Sequence, residues 1–588
     1  METPIDSDNS SLNISLPFVK FWENLTIVAQ PYWYPTELNG RAFGDVIASW
    51  GGLFLLILTT FSTVGVEAFS SYWNRYVLDI VIEERDLSKY LNTLWVSTAI
   101  IVFVTVLFAF SQFIRKKVAL DWYKWLSNQT VKKYLSDRAY YNVNFTKGLE
   151  NPDQRLAKEI EPITSLSIQF LMTLLEKGLQ IITFSIILWT ISQQIAVYLV
   201  IYSIFGNVGA IYLSQELSKI NQRELNAKAD YTYALTHVRN HGESIAFFQG
   251  EDQEAKIIER RFDQVIESKE KLIDWERLNN LFNRGYQLAL SIFSMFILTP
   301  MFINNEINYG EISQASLCCF LFSSALGKLI NEWGTSGKVS NYIERLAKFT
   351  DALTGITEEN QNLSQFVIIE DHHLAFENFT LQTPDYQKII VENLSLSVTL
   401  GQGLLIVGAS GRGKSSLLRA IAGLWKSGNG RLLRPPLKEM LFLPQRPYII
   451  LGTLREQLLY PNTQRQINDW ELETILEKVN LKHLLKDKNT FDKEVNWEQI
   501  LSLGEQQRLA FARLLITKPT FTILDEATSA LDLSNEASLY QQLQELETTF
   551  ISVGHRTSLF NYHQWVLELT DNSQWQFSPI EDYQLPEK

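Results

Sequence analysis

The stretch Gly408-Ala409-Ser410-Gly411-Arg412-Gly413-Lys414-Ser415-Ser416 contains the spacing G-x-x-x-x-G-K-S. Its residue types define a chemistry. Gly408, Gly411 and Gly413 let the backbone curl until several N–H groups point at one anion. An apolar run at 404–407 reads as a buried strand before this loop, and 417–424 reads as a helix after it. The start of that helix brings its positive end to the same spot. Lys414 can reach the outer phosphates of a nucleotide, and the Ser415 hydroxyl can ligate Mg²⁺. All nine residues of the stretch are candidate contacts to nucleotide phosphates.

More chemistry follows downstream, in a fixed order. Gln445 comes after a short apolar strand at 440–443 and can bind Mg²⁺ or the attacking water. The run Leu501-Ser502-Leu503-Gly504-Glu505-Gln506-Gln507-Arg508 opens a helix. Its serine and glycine form a second anion site. One chain hardly needs two such sites for one phosphate group, but two chains placed head to tail would use both. The run Phe521-Thr522-Ile523-Leu524-Asp525-Glu526 is a strand ending in two carboxylates. Asp525 is placed to hold Mg²⁺, largely through water, and Glu526 to polarise the attacking water as a general base. Ser529-Ala530-Leu531-Asp532 follows as a turn and helix start. A further strand at 550–553 ends at Gly554-His555, where the histidine can donate to a γ-phosphate. An isolated glutamine or histidine would be an ordinary surface or structural residue, and only the series gives these two a role. Carboxylates and a histidine at strand ends fit ligand binding at the carboxyl edge of a parallel α/β sheet.

The elements that position these residues occupy only the second part of the chain. The whole has 588 residues, a formal net charge of −13 and 46% hydrophobic residues. That acidity argues against nucleic acid as a partner. A mean hydropathy of −0.05 suits a chain part membrane and part soluble. Six long apolar segments stand at 46–66, 94–113, 174–191, 195–213, 288–303 and 312–329. Several are slightly short for a bilayer core of about 30 Å and read as tilted spans continuing into longer helices. Arg115, Lys116, Lys117, Lys124, Lys132 and Lys133 follow the second segment and mark that side as cytoplasmic. An even number of spans then places both termini in the cytoplasm. Among ionisable residues near the spans, Lys177 and Lys328 favour snorkelling to the interface, while Glu67 and Arg284 stay open between that and a pathway role. The aromatic residues Phe18, Phe21, Trp22, Tyr32, Trp33 and Tyr34 suit either a membrane surface or an arm that covers the domain. The acidic, polar residues 1–12 do not read as a cleavable leader. Cys318 and Cys319, adjacent in an apolar run, read as small buried residues. The long links 120–165 and 214–283 read as helices continuing below the membrane. Within the second, the segment 240–251 sets a small apolar patch, Ile245 to Phe248, between glycines, equally suited to local packing or docking.

The ordered series from Gly408 to His555 resembles the ATP-binding domain of ABC transporters. The resemblance implies a Walker A loop at 408–415, a Q-loop at Gln445, the signature motif at 501–505 and Walker B at 521–525. It also implies a catalytic glutamate at Glu526, a D-loop at 529–532 and a switch histidine at His555. Two departures stand out. The signature reads Leu-Ser-Leu-Gly-Glu where Leu-Ser-Gly-Gly-Gln is common, keeping Ser502 and Gly504 for phosphate and placing Glu505 last. Thr383 stands where many members stack an aromatic on adenine, and Tyr386 is the candidate substitute. The variant signature, Asn-Pro-Asp-Gln-Arg at 151–155 and Glu-Ser-Ile-Ala-Phe-Phe at 243–248 look like the peroxisomal fatty-acyl-CoA group and its bacterial relatives. The Pro-Tyr-Trp-Tyr-Pro-Thr-Glu stretch at 31–37 resembles bacterial proteins with an SbmA/BacA-like membrane domain. The resemblance implies that Glu243, Ile245, Phe247 and Phe248 touch the ATPase domain, and that Asp532 shares in the coupling.

The expected architecture is an α-helical six-span transmembrane domain fused to an α/β P-loop ATPase. Its parts are a tail and amphipathic arm at 1–40, the membrane domain with cytoplasmic stalks at 41–345, a linker at 346–370 and the ATPase domain at 371–588. The expected function is a homodimeric half-transporter in a bilayer, driven by ATP and Mg²⁺. Its cargo would be acyl-CoA or fatty acid, peptide or cobalamin, and its place a bacterial plasma membrane. Two other readings stand beside it: an ATP-gated channel or sensor, against which Glu526 argues, and a soluble ABC ATPase acting on macromolecules.

Overall fold

A computed structural model describes residues 15–35, 41–143, 152–359, 365–485 and 490–583. The chain divides into two compact units, Met1–Glu358 and Glu359–Lys588.

The first unit is helical. Its main elements are α1 (Ser15–Trp33), α2 (Phe43–Asp79), α3 (Leu87–Leu135), α4 (Ile160–Ile191), α5 (Gln193–Asn240), α6 (Gly242–Phe248), α7 (Glu251–Ile303) and α8 (Tyr309–Glu359). Each of the six apolar segments lies inside one of α2, α3, α4, α5, α7 and α8, and each helix runs well past its segment. Among the described residues, four helical stretches are long and apolar enough to cross a membrane: Phe43–Glu84, Leu87–Tyr141, Arg155–Ile191 and Tyr309–Leu329. In α5 the described apolar stretch is the shorter Ala196–Gly206. The turn between α2 and α3 is set locally. Arg85 takes a left-handed conformation that stops the first helix. Asp86 then caps the second by accepting from the N–H groups of Ser88 and Lys89 at 2.9 and 3.1 Å.

The arm is packed rather than spread on a surface. Tyr32 is fully buried, with its ring 5.9 Å from that of Trp122 on α3. The Arg41 guanidinium lies 3.8 Å over the Tyr32 ring and donates to Ser49 Oγ at 2.6 Å. Tyr34 is exposed, and the side chains of Phe18 and Phe21 lie outside the described set. Cys318 and Cys319 are buried in a cluster with Phe184, Leu298 and Phe322. Helices α5 and α7 lie against each other, where Tyr202 stacks on Tyr286 with centroids 5.0 Å apart. A Cβ at Gly206 would sit 1.9 Å from the Tyr286 ring, so only glycine leaves room for that stack.

Lys177 corrects the snorkelling expectation. It is 7% exposed and turned inward. Its ammonium meets Glu176 at 2.5 Å and donates to Gln180 Oε1 at 3.0 Å. Gln180 donates in turn to Glu67 on α2 at 2.6 Å, and Glu176 pairs with Arg115 on α3 at 3.4 Å. Snorkelling would take the cation from Glu176 and Gln180 and leave two carboxylates, Glu67 and Glu176, between three helices with Arg115 as their charge partner, so pairing is cheaper than reaching out. Lys328 and Arg284 are exposed.

The segment expected as a linker is in part regular. Helix α8 continues to Glu359, and strand β1 begins at Val367. The second unit contains a four-stranded sheet in the order β1 (Val367–Glu370), β5 (Gly428–Arg434), β2 (Leu374–Gln382), β3 (Ile389–Val398). Its larger sheet has the order β12 (Trp575–Pro579), β11 (Trp565–Leu569), β4 (Gly403–Val407), β10 (Thr549–Val553), β9 (Phe521–Asp525), β6 (Met440–Leu443). From β11 to β6 the pairing is parallel, and β12 adds an antiparallel edge. Every residue of β4 and β10 is buried, as a sheet covered on both faces requires, which is why β4 reads as a continuous apolar run and β10 as one broken only by small hydroxyl residues. Helices α9 (Lys414–Ile421), α10 (Leu454–Leu459), α11 (Asp469–Lys478), α12 (Leu503–Thr517) and α13 (Leu533–Glu545) complete the frame, with the small ribbon β7 (Gly452–Thr453) and β8 (Glu494–Val495). The strand order places the carboxyl ends of β4, β10, β9 and β6 side by side, with Gly408, His555, Glu526 and Gln445 just beyond those ends.

Candidate functional site: the nucleotide centre

The loop after β4 is formed and braced. Gly408 has φ +137° and Gly413 φ +92°, conformations that side chains resist. Space is closed at both: a Cβ on Gly408 would lie 2.5 Å from the Leu569 carbonyl oxygen, and one on Gly413 2.1 Å from Ile390. Lys414 is buried and folds back over the loop, donating to the carbonyls of Gly408 and Ala409 at 2.7 and 3.0 Å. Burial lowers its pKa from the ordinary lysine value, although Glu526 and Asp525 oppose the shift. A phosphate arriving at this loop would meet that desolvated ammonium. Arg412 is tied to Asp571 by an ion pair. Ala409, Ser410 and Gly411 are exposed at the rim, with Ser415 and Ser416 half-buried behind them.

Asp525, the last residue of β9, accepts from Ser415 Oγ at 3.2 Å. Burial raises its pKa, and nearby Glu526 adds to the rise against the Ser415 hydrogen bond. A carboxylate and a hydroxyl so placed suit Mg²⁺, which is bound through one or two protein oxygens together with phosphates and water. Among the described residues no cluster of three or more His, Cys, Asp or Glu could hold a metal unaided.

Glu526 has left-handed backbone, φ +48°, and its N–H donates to the Val553 carbonyl at 3.0 Å. This turn aims its carboxylate across the strand ends. Gln445 Nε2 donates to Glu526 Oε2 at 2.8 Å, and His555 Nε2 stands 3.6 Å from Glu526 Oε1. Three residues separated by up to 110 positions in the chain thus meet at one carboxylate.

Ser502 caps α12 through a capping box with Glu505. The Ser502 hydroxyl and N–H donate to Glu505 Oε2 at 2.8 and 2.9 Å. Both Ser502 and Leu503 face solvent. Gly504 packs close, since a Cβ there would lie 3.0 Å from the Ala530 carbonyl. Among the described residues no hydrogen bond joins this helix start to the loop at 408–416. Asp532 caps α13, accepting from the Asn535 N–H at 2.7 Å, and that bond lowers its pKa first among several. Tyr386 lies half-buried at the tip of the β2–β3 turn, whose outgoing strand reaches Gly413 through Ile390. In the helical unit Phe247 and Phe248 are 78% and 86% exposed on the short helix α6, with Glu243 exposed and Ile245 half-buried.

Two residues that sequence reasoning missed hold these loops together. Gln507 is fully buried; its amide donates to the Gln445 carbonyl at 3.1 Å and to Ser529 Oγ at 3.2 Å, and accepts from the Ala530 N–H at 3.0 Å. One side chain on α12 thereby joins the Q-loop to the D-loop. Arg556, next to His555, donates to the carbonyls of Ser529 and Leu531, each at 2.8 Å. It also pairs with Glu536 at 3.1 Å, a buried carboxylate that accepts from Thr528 and Ser558 as well. The available signal was position alone: a glutamine one turn into a helix that opens an anion site, and an arginine beside a strand-end histidine.

Residues 45–303 match the family described as ABC transporter transmembrane region 2, and residues 391–529 match the ABC transporter domain. An ABC transporter ATP-binding protein of Synechocystis is 40% identical over 90% of this chain and 82% of its own length. The chloroplastic ABC transporter D family member 2 of Arabidopsis thaliana is 30% identical over 93% of this chain and 86% of its own. The human lysosomal cobalamin transporter is 29% identical over 85% and 88%. A glycine loop, a paired hydroxyl and carboxylate, a second carboxylate held among glutamine and histidine, and an apolar helical unit on the same polypeptide are thus matched along nearly the whole length. The chain belongs to the ABC transporters: an integral membrane protein whose ATP-binding domain couples hydrolysis to transport.

Proposed function

We propose that two copies of this chain pair with C₂ symmetry, so that the loop of one and the Ser502 helix start of the other enclose each ATP. One observation carries the reading: Gln445, Glu526 and His555 converge beside the loop, whereas Ser502 faces solvent with no hydrogen bond to that loop among the described residues. The missing wall of the site is supplied by a twin. Ser415, Asp525 and Gln445 hold Mg²⁺ there. Glu526 orients and activates the attacking water, and His555 and Ser502 face the γ-phosphate. Gly504 and the first N–H groups of α12 add to the positive end of the helix. Tyr386 lies against the base.

Closure on ATP and parting after hydrolysis drive alternating access across six spans, with both termini in the cytoplasm of a bacterial plasma membrane. The exposed pair Phe247 and Phe248, with Glu243, Ile245 and Asp532, transmits that motion. The cargo is bulky or amphipathic, drawn from acyl-CoA or fatty acid, peptide and cobalamin. The cobalamin in the human relative's name keeps that class in the set.

The test is ATPase and uptake measured on protein reconstituted in lipid vesicles, across acyl-CoAs, peptides and cobalamin. One class should stimulate hydrolysis and accumulate against its gradient, and Glu526→Gln should stop both. Downhill flux that persists undiminished in Glu526→Gln would replace the transporter with a gated channel.

A further inference from the structure

His483 stands in a short turn after α11 and outside every motif of the ABC series. Its Nε2 lies 2.7 Å from Glu505 Oε1. Ionised Glu505 offers only acceptors, so the proton of this bond sits on Nε2 of the histidine. The other carboxylate oxygen, Oε2, takes both the N–H and the hydroxyl of Ser502. A relay therefore runs from His483 through Glu505 to the signature serine.

The relay matters because of what stands at its centre. A glutamine there could donate to the serine oxygen and leave the serine proton free for phosphate. A carboxylate cannot donate; it draws the serine proton toward itself and sets negative charge beside an approaching polyanion. Burial alone would raise the pKa of Glu505, but the bonds from Ser502 and His483 prevail and hold it below the ordinary glutamate value. The carboxylate stays charged, so its pull on the serine has to be tempered by another donor. Among the described residues His483 is the donor within reach.

We propose that His483 is a positioning residue for ATP capture, which by donating to Glu505 loosens that carboxylate's hold on Ser502 and turns its charge away from the incoming γ-phosphate. The inference rests on the composite site proposed above. His483 is 53% exposed, so its replacement leaves the core intact.

The measurement is steady-state ATPase of the full chain in lipid vesicles for His483→Ala, His483→Gln, Glu505→Gln, the double variant His483→Ala/Glu505→Gln, and Ser502→Ala. His483→Ala should raise the ATP concentration for half-maximal turnover about three- to tenfold, the size of one ordinary net hydrogen bond because the effect reaches Ser502 only through Glu505, with a smaller change in kcat. His483→Gln, which keeps an N–H donor, should recover most of that shift. In the Glu505→Gln background the same alanine change should do nothing, since the carboxylate it tempers is gone. A wild-type KM in His483→Ala overturns the inference, as does a shift of equal size in the Glu505→Gln background. Ser502→Ala separates the two layers. If it impairs turnover while His483→Ala does not, only the role of His483 falls; if it behaves as wild type, the composite site falls as well.

Discussion

Arg556→Met tests how much of the D-loop's anchoring, shared with Gln507, comes from one guanidinium. Arg556 makes two bonds to D-loop carbonyls and an ion pair with Glu536, whose side chain is 1% exposed while that of Arg556 is 36% exposed. Methionine keeps the stem and removes every donor. It leaves a buried carboxylate with only the hydroxyls of Thr528 and Ser558, and two carbonyls without their donors. Breaking a buried pair from one side costs about 3–5 kcal/mol, and the partial exposure of Arg556 brings the expectation to about 2–4 kcal/mol. In a domain of this size that is roughly 5–12 °C in the unfolding midpoint. Adding Glu536→Gln removes the stranded charge, so the double variant should recover about 1–3 kcal/mol relative to additivity. Thermal unfolding of the ATPase unit in detergent, followed for wild type, both single variants and the pair, reads the cycle. Strict additivity would refute the argument, because it would mean that the two groups do not feel each other.

Three further outcomes follow from the same geometry. Gln507→Leu should lower kcat by about ten- to a hundredfold through displacement of the Q- and D-loops, with ATP binding by the Lys414 loop, measured as nucleotide affinity, nearly unchanged. His563 is buried between Ser552 Oγ at 2.8 Å and the Leu559 carbonyl at 2.7 Å, and burial lowers its pKa to about 4. Because the unfolded chain binds that proton near the ordinary histidine value, stability is full above pH ~6.5. It falls as pH drops toward 4, by on the order of 3 kcal/mol in all, and His563→Asn should flatten that part of the pH–stability curve. Replacing both Phe247 and Phe248 by Ser should cut cargo-stimulated turnover several-fold while leaving thermal stability within about 0.5 kcal/mol, since both rings are exposed in their own unit.

The parts of the site that were legible were those written locally. A glycine loop between an apolar strand and a helix needs no distant residue to be recognised, and strands β4, β6, β9 and β10 stand within a residue of the apolar runs that announced them. Ser502 and Asp532 were readable as helix starts for the same reason. What escaped was set by contacts distant in sequence. Gln507 gains its meaning only when the Gln445 and Ser529 loops fold onto it from opposite sides. Lys177 looked like a residue at a span's edge, yet Glu67, more than a hundred positions earlier, and Gln180 make the interior its cheaper home. Tyr32 suited a membrane surface or a covering arm alike, and only Trp122 and Arg41, closing around it, decide for the arm. Alternation and periodicity report which face is apolar, not which neighbour will cover it.

The adjacency of His555 and Arg556 has a consequence for timing. The first lies beside Glu526 and the second grips the D-loop, and in the pairing proposed above each centre takes residues from both copies. Both side chains leave the same short stretch just beyond β10, so a displacement of that strand end reaches both. Turnover at the two centres should therefore be interlocked, and a mixed pair with one inactivated copy should run well below half speed.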